Sequence, residues 1–171
     1  LPAMTKHEKP HGINAPQPVR SLREWLDHLA ARGRLAVMKP GIGLKFDLAA
    51  HAKRLDGVRA TVFPNPGGHP MLVVSGLVSD RAWMADAMAI EPAEMLAHFQ
   101  HAALNPVPWQ EVKSAPVQEV VHRQVDLLKQ LPIPTHNEHD GGPYIAAGIM
   151  VVRNPKTGKQ NVSIHRCQLT G

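Results

Sequence analysis

Residues 144–169 read YIAAGIMVVRNPKTGKQNVSIHRCQL, two runs rich in isoleucine and valine either side of Asn154-Pro155-Lys156-Thr157-Gly158. Proline presets one turn angle and glycine accepts a positive one, so this interruption is a tight turn. The flanking runs, 144–153 and 160–169, are therefore expected to form a β-hairpin. In its second strand Asn161, Ser163, His165 and Cys167 alternate with Val162, Ile164 and Arg166, giving one polar face and one apolar face that carries an arginine. That arginine can snorkel, meet a carboxylate in a structural salt bridge, or grip a phosphate or substrate acid with its planar fork. A lone hairpin is marginal in water, so the sheet looks unfinished where the sequence stops.

Working back toward the N-terminus, Leu131-Pro132-Ile133-Pro134 is a stiff extended segment. Val125 to Leu131 is a short step, helical or extended, and Val117, Val120 and Val121 suggest a strand. Asn105-Pro106-Val107-Pro108 and Ser114-Ala115-Pro116 bracket a linker around Trp109.

Before the linker, helix and strand patterns alternate. Ser21-Leu22-Arg23-Glu24 is a capping box, followed by Leu22, Trp25, Leu26 and Leu29 at helical spacing and Gly33 as a left-handed stop. Leu35 to Met38 reads as a strand. Asp47 is expected to cap a helix that runs to Asp56-Gly57, with Leu48, His51, Ala52 and Leu55 on one face. Ala60 to Phe63 is a strand, and Met71 to Gly76 a continuous apolar strand expected to be buried on both faces. Ser79-Asp80-Arg81 opens a helix through Met88, and a further helix from Pro92 to about Ala103 is expected to bury Met95, Leu96 and Phe99. This alternation predicts an α/β domain. The expected division is a flexible arm over 1–20, where Pro2, Pro10, Pro16 and Pro18 interrupt any pattern, an α/β domain over 21–115, and a separate unit from 116 to 171.

Composition excludes several classes. Of 171 residues, 43% are hydrophobic and 19% charged, enough for a core and too few charges for a disordered tail. No apolar run reaches the ~18 residues of a membrane helix. No apolar stretch near Leu1 resembles a secretory signal, and one cysteine, Cys167, makes no internal disulfide, so a cytoplasmic protein is expected. Nineteen Lys and Arg against fourteen Asp and Glu give +5, but the basic residues are scattered and aromatics are only 4%, against a nucleic-acid surface.

Gly41-Ile42-Gly43 lacks the third glycine of a dinucleotide cradle, and no phosphate loop or nucleophile elbow is present. Eleven histidines raise metal binding, with His98 and His101 three apart on a helix and His136 and His139 around Glu138. Neither pair comes with a cysteine pair or a His-Glu-x-x-His motif, and a solvated helix face and a polar loop account for them more simply.

A family resemblance covers about residues 20–170. Val125-Asp126-Leu127-Leu128, Leu131-Pro132-Ile133-Pro134-Thr135-His136, Asp140-Gly141-Gly142-Pro143-Tyr144-Ile145, Asn154 to Gly158 and Asn161-Val162-Ser163-Ile164-His165-Arg166 resemble, in order, the entry to the cofactor domain of UbiD-type decarboxylases. Ser21 to Leu35, SLREWLDHLAARGRL, resembles the first helix and strand of that family.

The resemblance implies an α/β N-terminal domain followed by the first strands of a split β-barrel. It implies reversible, non-oxidative decarboxylation of an aromatic, heteroaromatic or α,β-unsaturated carboxylic acid. The cofactor implied is prenylated FMN, which forms a covalent adduct with the substrate, its phosphate held by manganese or another divalent ion with potassium nearby. Asn161 matches the metal-ligating asparagine. Ile164, His165 and Arg166 match the cofactor-contacting tripeptide, histidine standing where relatives often have tyrosine, and Ser163 lies where contacts to the phosphate are expected. Arg166 also matches the active-site arginine that pairs with a catalytic glutamate and orients the substrate carboxylate. The other metal ligands, a histidine and a glutamate, and the catalytic carboxylates are expected beyond Gly171, leaving this chain inactive alone. The resemblance further implies a homo-oligomer supplied with cofactor by a flavin prenyltransferase, and neither nucleic acid nor membrane as partner. Two alternatives are an accessory subunit that docks through the hairpin edge and a histidine-based metal-binding domain.

Overall fold

A computed structural model describes residues 17–170. Most of the expected arm, residues 1–16, lies outside the described residues. The chain enters along the first unit, where the Val19 amide donates to the Ala87 carbonyl at 2.8 Å and the Val19 side chain packs on the core.

Helix α1 (Leu22–Ala31) starts as its sequence dictates, with the Ser21 hydroxyl accepting from the Glu24 amide. The Glu24 carboxylate reaches back one residue further than a capping box requires, accepting from the Arg20 amide at 2.8 Å. Gly33, at φ +66°, ends the helix. Strand β1 (Leu35–Val37) follows, then α2 (Asp47–Leu55), β2 (Ala60–Phe63) and β3 (Val73–Ser75). β1 pairs parallel to β2, with α2 crossing over between them, and β3 pairs antiparallel to the other edge of β2. α3 (Arg81–Met88) is capped by the Asp80 carboxylate, which accepts from the Ala82 amide, and α4 (Met95–Leu104) completes the unit.

The sheet is covered on both sides. On one side Ala60 packs among Trp25 and Leu29 of α1 and Trp83 of α3, and the Trp25 indole N–H finds the Leu77 carbonyl at 3.0 Å. Thr61 and Phe63 point the opposite way by strand alternation, the side on which α2 lays its buried Leu48. His28 stacks on Trp25, with its Nε2 buried and unpartnered. Burial first, and then the neighbouring Arg32, push the His28 pKa down. Beside it Arg34 pairs with Asp86 at 2.6 Å and lies over the Trp83 ring.

Four local expectations are corrected. The apolar run 71–76 yields only the three residues of β3, and Met71 and Leu72 stand about half exposed, because β3 is an edge strand with one partner. α4 buries Met95, but Leu96 and Phe99 are 63% and 53% exposed, since only the start of the helix is covered. Val117 to Val121 is no strand: Pro116 opens a short 3₁₀ turn, Pro116–Gln118, and the valines are exposed.

Asp47 does not cap α2. Phe46 takes the cap position at φ +69°, ψ −38°, with the Asp47 amide bonded to the Lys45 carbonyl. That three-residue ring is a γ-turn of the strained hand.

A strap joins this unit to the hairpin. After the short helix α5 (Leu127–Gln130), Thr135 runs parallel to Lys45, donating to the Leu44 carbonyl at 3.1 Å and accepting from the Phe46 amide at 2.9 Å. The Tyr144 amide then bonds to the Pro134 carbonyl. Strands β4 (Tyr144–Arg153) and β5 (Gln160–Gln168) pair antiparallel as expected. In the turn, the Asn154 side-chain oxygen accepts from the Lys156 and Thr157 amides and Gly158 sits at φ +68°. At the other end of the linker, the Arg153 guanidinium lies 4.3 Å above the Trp109 ring.

Candidate functional site

Strand β5 carries the candidate residues, and its register places them. Asn161 lies opposite Val152, Ser163 opposite Met150 and His165 opposite Gly148, all on one face. Val162 opposite Val151 and Ile164 opposite Ile149 form the other face, to which alternation also assigns Arg166. On the polar face the Ser163 hydroxyl and His165 Nε2 are 2.8 Å apart.

Between Ile145 and Gly148 the register slips, so Ala146 and Ala147 together oppose Arg166. A bulge of this kind bends its strand and sharpens the local twist. Gly148 lies next to it in a tight spot, where a Cβ would come within 3.1 Å of the Cys167 sulfur and 3.2 Å of the His165 carbonyl oxygen.

Neither face is covered. β5 has no buried residue, and Ile149 and Ile164 are 67% and 74% exposed. Among the described residues no carboxylate pairs with Arg166.

Asn161 and Arg166 stand five positions apart, about 16 Å along the strand, and face opposite ways. They cannot hold the same small group. They can serve the two ends of an extended one, with a carboxamide oxygen for a hard cation at one end and a guanidinium for a carboxylate at the other. No three His, Cys, Asp or Glu side chains converge among the described residues.

The histidine pairs form no such centre. His98 is exposed on α4, where His101 contacts Asn105. His139 leans toward Glu138 at 3.5 Å, while His136 lines a groove of about 830 Å³ together with Phe46, Lys53, Asp56 and Glu138. Sequence reasoning missed this groove, the bulge and the strap. The run Ala146-Ala147-Gly148 was the available signal for the bulge, since small residues tolerate the kink. No helix among the described residues is long and apolar enough to cross a membrane.

Comparison with known proteins gives the frame for this geometry. The model of the 3-octaprenyl-4-hydroxybenzoate carboxy-lyase N-terminal domain matches residues 26–103, and that of the Rift-related domain of the same enzyme family matches residues 110–171. The chain belongs to the UbiD family. Its fold matches the UbiD-class enzyme HmfF from Pelotomaculum thermopropionicum, solved with prenylated FMN in an evolved dimeric form, with a TM-score of 0.83 and 44% identity over 88% of this chain and 36% of that one.

A vanillic acid decarboxylase from Sedimentibacter hydroxybenzoicus matches with a TM-score of 0.76 and 25% identity, covering 90% of this chain and 37% of that one. Anhydromevalonate phosphate decarboxylase from Methanosarcina mazei is 32% identical over 87% of this chain and 33% of its own length. This UbiD-family chain thus spans about a third of the length of the curated relatives it matches.

Proposed function

We propose that this chain is the N-terminal part of a prenylated-FMN-dependent decarboxylase, and that β5 is one wall of its cofactor site. The observation that carries the reading is the exposed strand with Asn161, Ser163 and His165 on one face and, opposite a bulge, Arg166, which has no carboxylate partner among the described residues. Likeness to the HmfF structure with prenylated FMN supports the cofactor. In this reading the α/β domain ends near residue 115 and the first strands of a split barrel begin at 116.

Asn161 supplies an amide oxygen to a divalent ion, manganese in this proposal, whose charge balances the cofactor phosphate, with potassium nearby. Ser163 donates its hydroxyl to that phosphate, and Ile164 and His165 contact the cofactor. Arg166 receives the substrate carboxylate in bidentate fashion and holds its carbon–carbon bond in a reactive orientation, a contribution of several kcal/mol by positioning alone (up to ~7–11 in well-oriented cases). When bound, prenylated FMN supplies the electron sink for the carbanion that departing carbon dioxide leaves.

The substrate is a carboxylic acid of aromatic, heteroaromatic or α,β-unsaturated type. A catalytic glutamate paired with Arg166 and the remaining metal ligands come from polypeptide outside these residues, so the isolated chain is inactive. A flavin prenyltransferase provides the cofactor, and the working protein is a cytoplasmic homo-oligomer.

The test is carbon dioxide release from a panel of such acids, together with bound flavin measured by absorbance and mass, in a chain of the relatives' length. Arg166→Ala is expected to lower turnover by at least ~10²-fold with flavin retained. Asn161→Ala is expected to lose flavin and metal together. Undiminished turnover in Arg166→Ala overturns the assignment of the arginine, and an enzyme that never retains flavin overturns the cofactor.

A further inference from the structure

The first unit leaves one edge of its sheet open. In the order β1-β2-β3, β3 pairs with β2 alone among the described residues, so the main-chain groups on its outer side meet no further strand. Folded proteins guard such an edge with a charge, a proline or a covering element. Val73-Val74-Ser75 has neither charge nor proline, and Met71 and Leu72, which lead into it, are 49% and 51% exposed.

Beside that edge lies the groove of about 830 Å³. Register sets Ser75 opposite Thr61, on the face that α2 covers, and Ser75 and Gly76 form the β3 end of the groove. α2 lines it with Ala49 and Ala52, three apart on one helix face, whose short side chains leave the space open. His136 and Asn137, directly after the Thr135 strap, complete the lining. An edge strand beside a helix, with a trough between them, suits an extended peptide: its main chain pairs with the edge and alternate side chains enter the trough.

We propose that an extended segment of the same protein, from polypeptide outside these 171 residues, adds to β3 as a fourth strand and sets side chains into this groove. The proposal goes beyond the decarboxylase reading and needs only the family membership. The position of the groove argues for this occupant. Both units wall it, at the strap that attaches β4 and β5 to the α/β unit, so a strand seated there extends a joint the fold already has. This chain spans about a third of the length of the curated relatives it matches, and the polypeptide they carry outside the matched third is tethered to both walls. Tethering makes the pairing intramolecular, an advantage that a separate partner lacks.

The experiment uses a chain of the relatives' length beside this one. A photo-reactive benzoylphenylalanine replaces Lys53, which is exposed and lines the groove. An equal mixture of isotopically heavy and light long chains is irradiated, and cross-linked peptides are identified by mass. The expected product joins position 53 to a peptide outside residues 1–171 of the same chain, heavy with heavy and light with light. Hydrogen exchange of the unmutated chains gives a second reading. The peptide spanning 73–75 is expected to exchange at least ~10-fold more slowly in the long chain than in this one.

Heavy–light products put a second copy in the groove and overturn the proposal. A cross-link confined to residues 1–171, no cross-link at all, or equally fast exchange of β3 in both chains overturns it too. Each of these results leaves the cofactor reading standing, because that reading rests on β5.

Discussion

β2 and β5 are strands of one chain in opposite surroundings. β2 has four residues and buries all four, flanked by a strand on each edge and helices on each face. β5 has nine and buries none. The first is held by close packing, and almost any change to it is a change in stability. The second owes its shape to backbone pairing with β4 and a tight turn, and its side chains carry little of the packing. Burial and exposure are divided between the two strands.

The largest expected effect tests that division directly. Phe63→Ala removes a fully buried ring from β2 and should cost about 3–5 kcal/mol. Ile164→Ala on β5 removes an exposed side chain and should cost less than ~0.5 kcal/mol. Urea unfolding followed by circular dichroism measures both, and comparable losses would break the comparison.

A smaller effect belongs to the helix cap. Asp80→Ala deprives the Ala82 amide of its acceptor and should cost about 1 kcal/mol in the same assay, with Asp80→Asn recovering most of it.

The smallest sharpens the contrast by pH. Burial and Arg32 hold the His28 pKa below its ordinary 6.5, so the folded domain resists a proton that the unfolded chain accepts. Its contribution is complete above pH 6.5 and declines as the pH falls below it, until the folded-state pKa is passed. A urea midpoint that decreases from pH 7.5 to 5.5 in the wild type, and less steeply in His28→Gln, is the expected outcome.

Much of this was legible in the residues. α1 could be read from Ser21 to Gly33 because caps, apolar spacing and stop agree, and the hairpin from Asn154 to Gly158 because turn chemistry is local. The polar and apolar faces of β5 followed from alternation alone. The pattern misled where burial depends on distant neighbours. Leu96 and Phe99 have core chemistry, but α4 is covered only at its start, and Met71 and Leu72 belong to an edge. At the candidate site, Asn161 and Arg166 could be named from the motif, whereas the Ala146-Ala147 bulge opposite Arg166 and the Ser163–His165 contact required coordinates.

The strap through Thr135 was invisible for a different reason. Both of its bonds to Leu44 and Phe46 run between main-chain groups, and main-chain groups leave no signature in composition. A joint made this way is nearly blind to point substitution: side chains at 44, 45 and 135 can drift through evolution while the attachment persists. Its vulnerability lies in spacing and in proline. One residue inserted between Thr135 and Tyr144, or a proline at either donor, would swing β4 and β5 away from their foundation with every side chain intact.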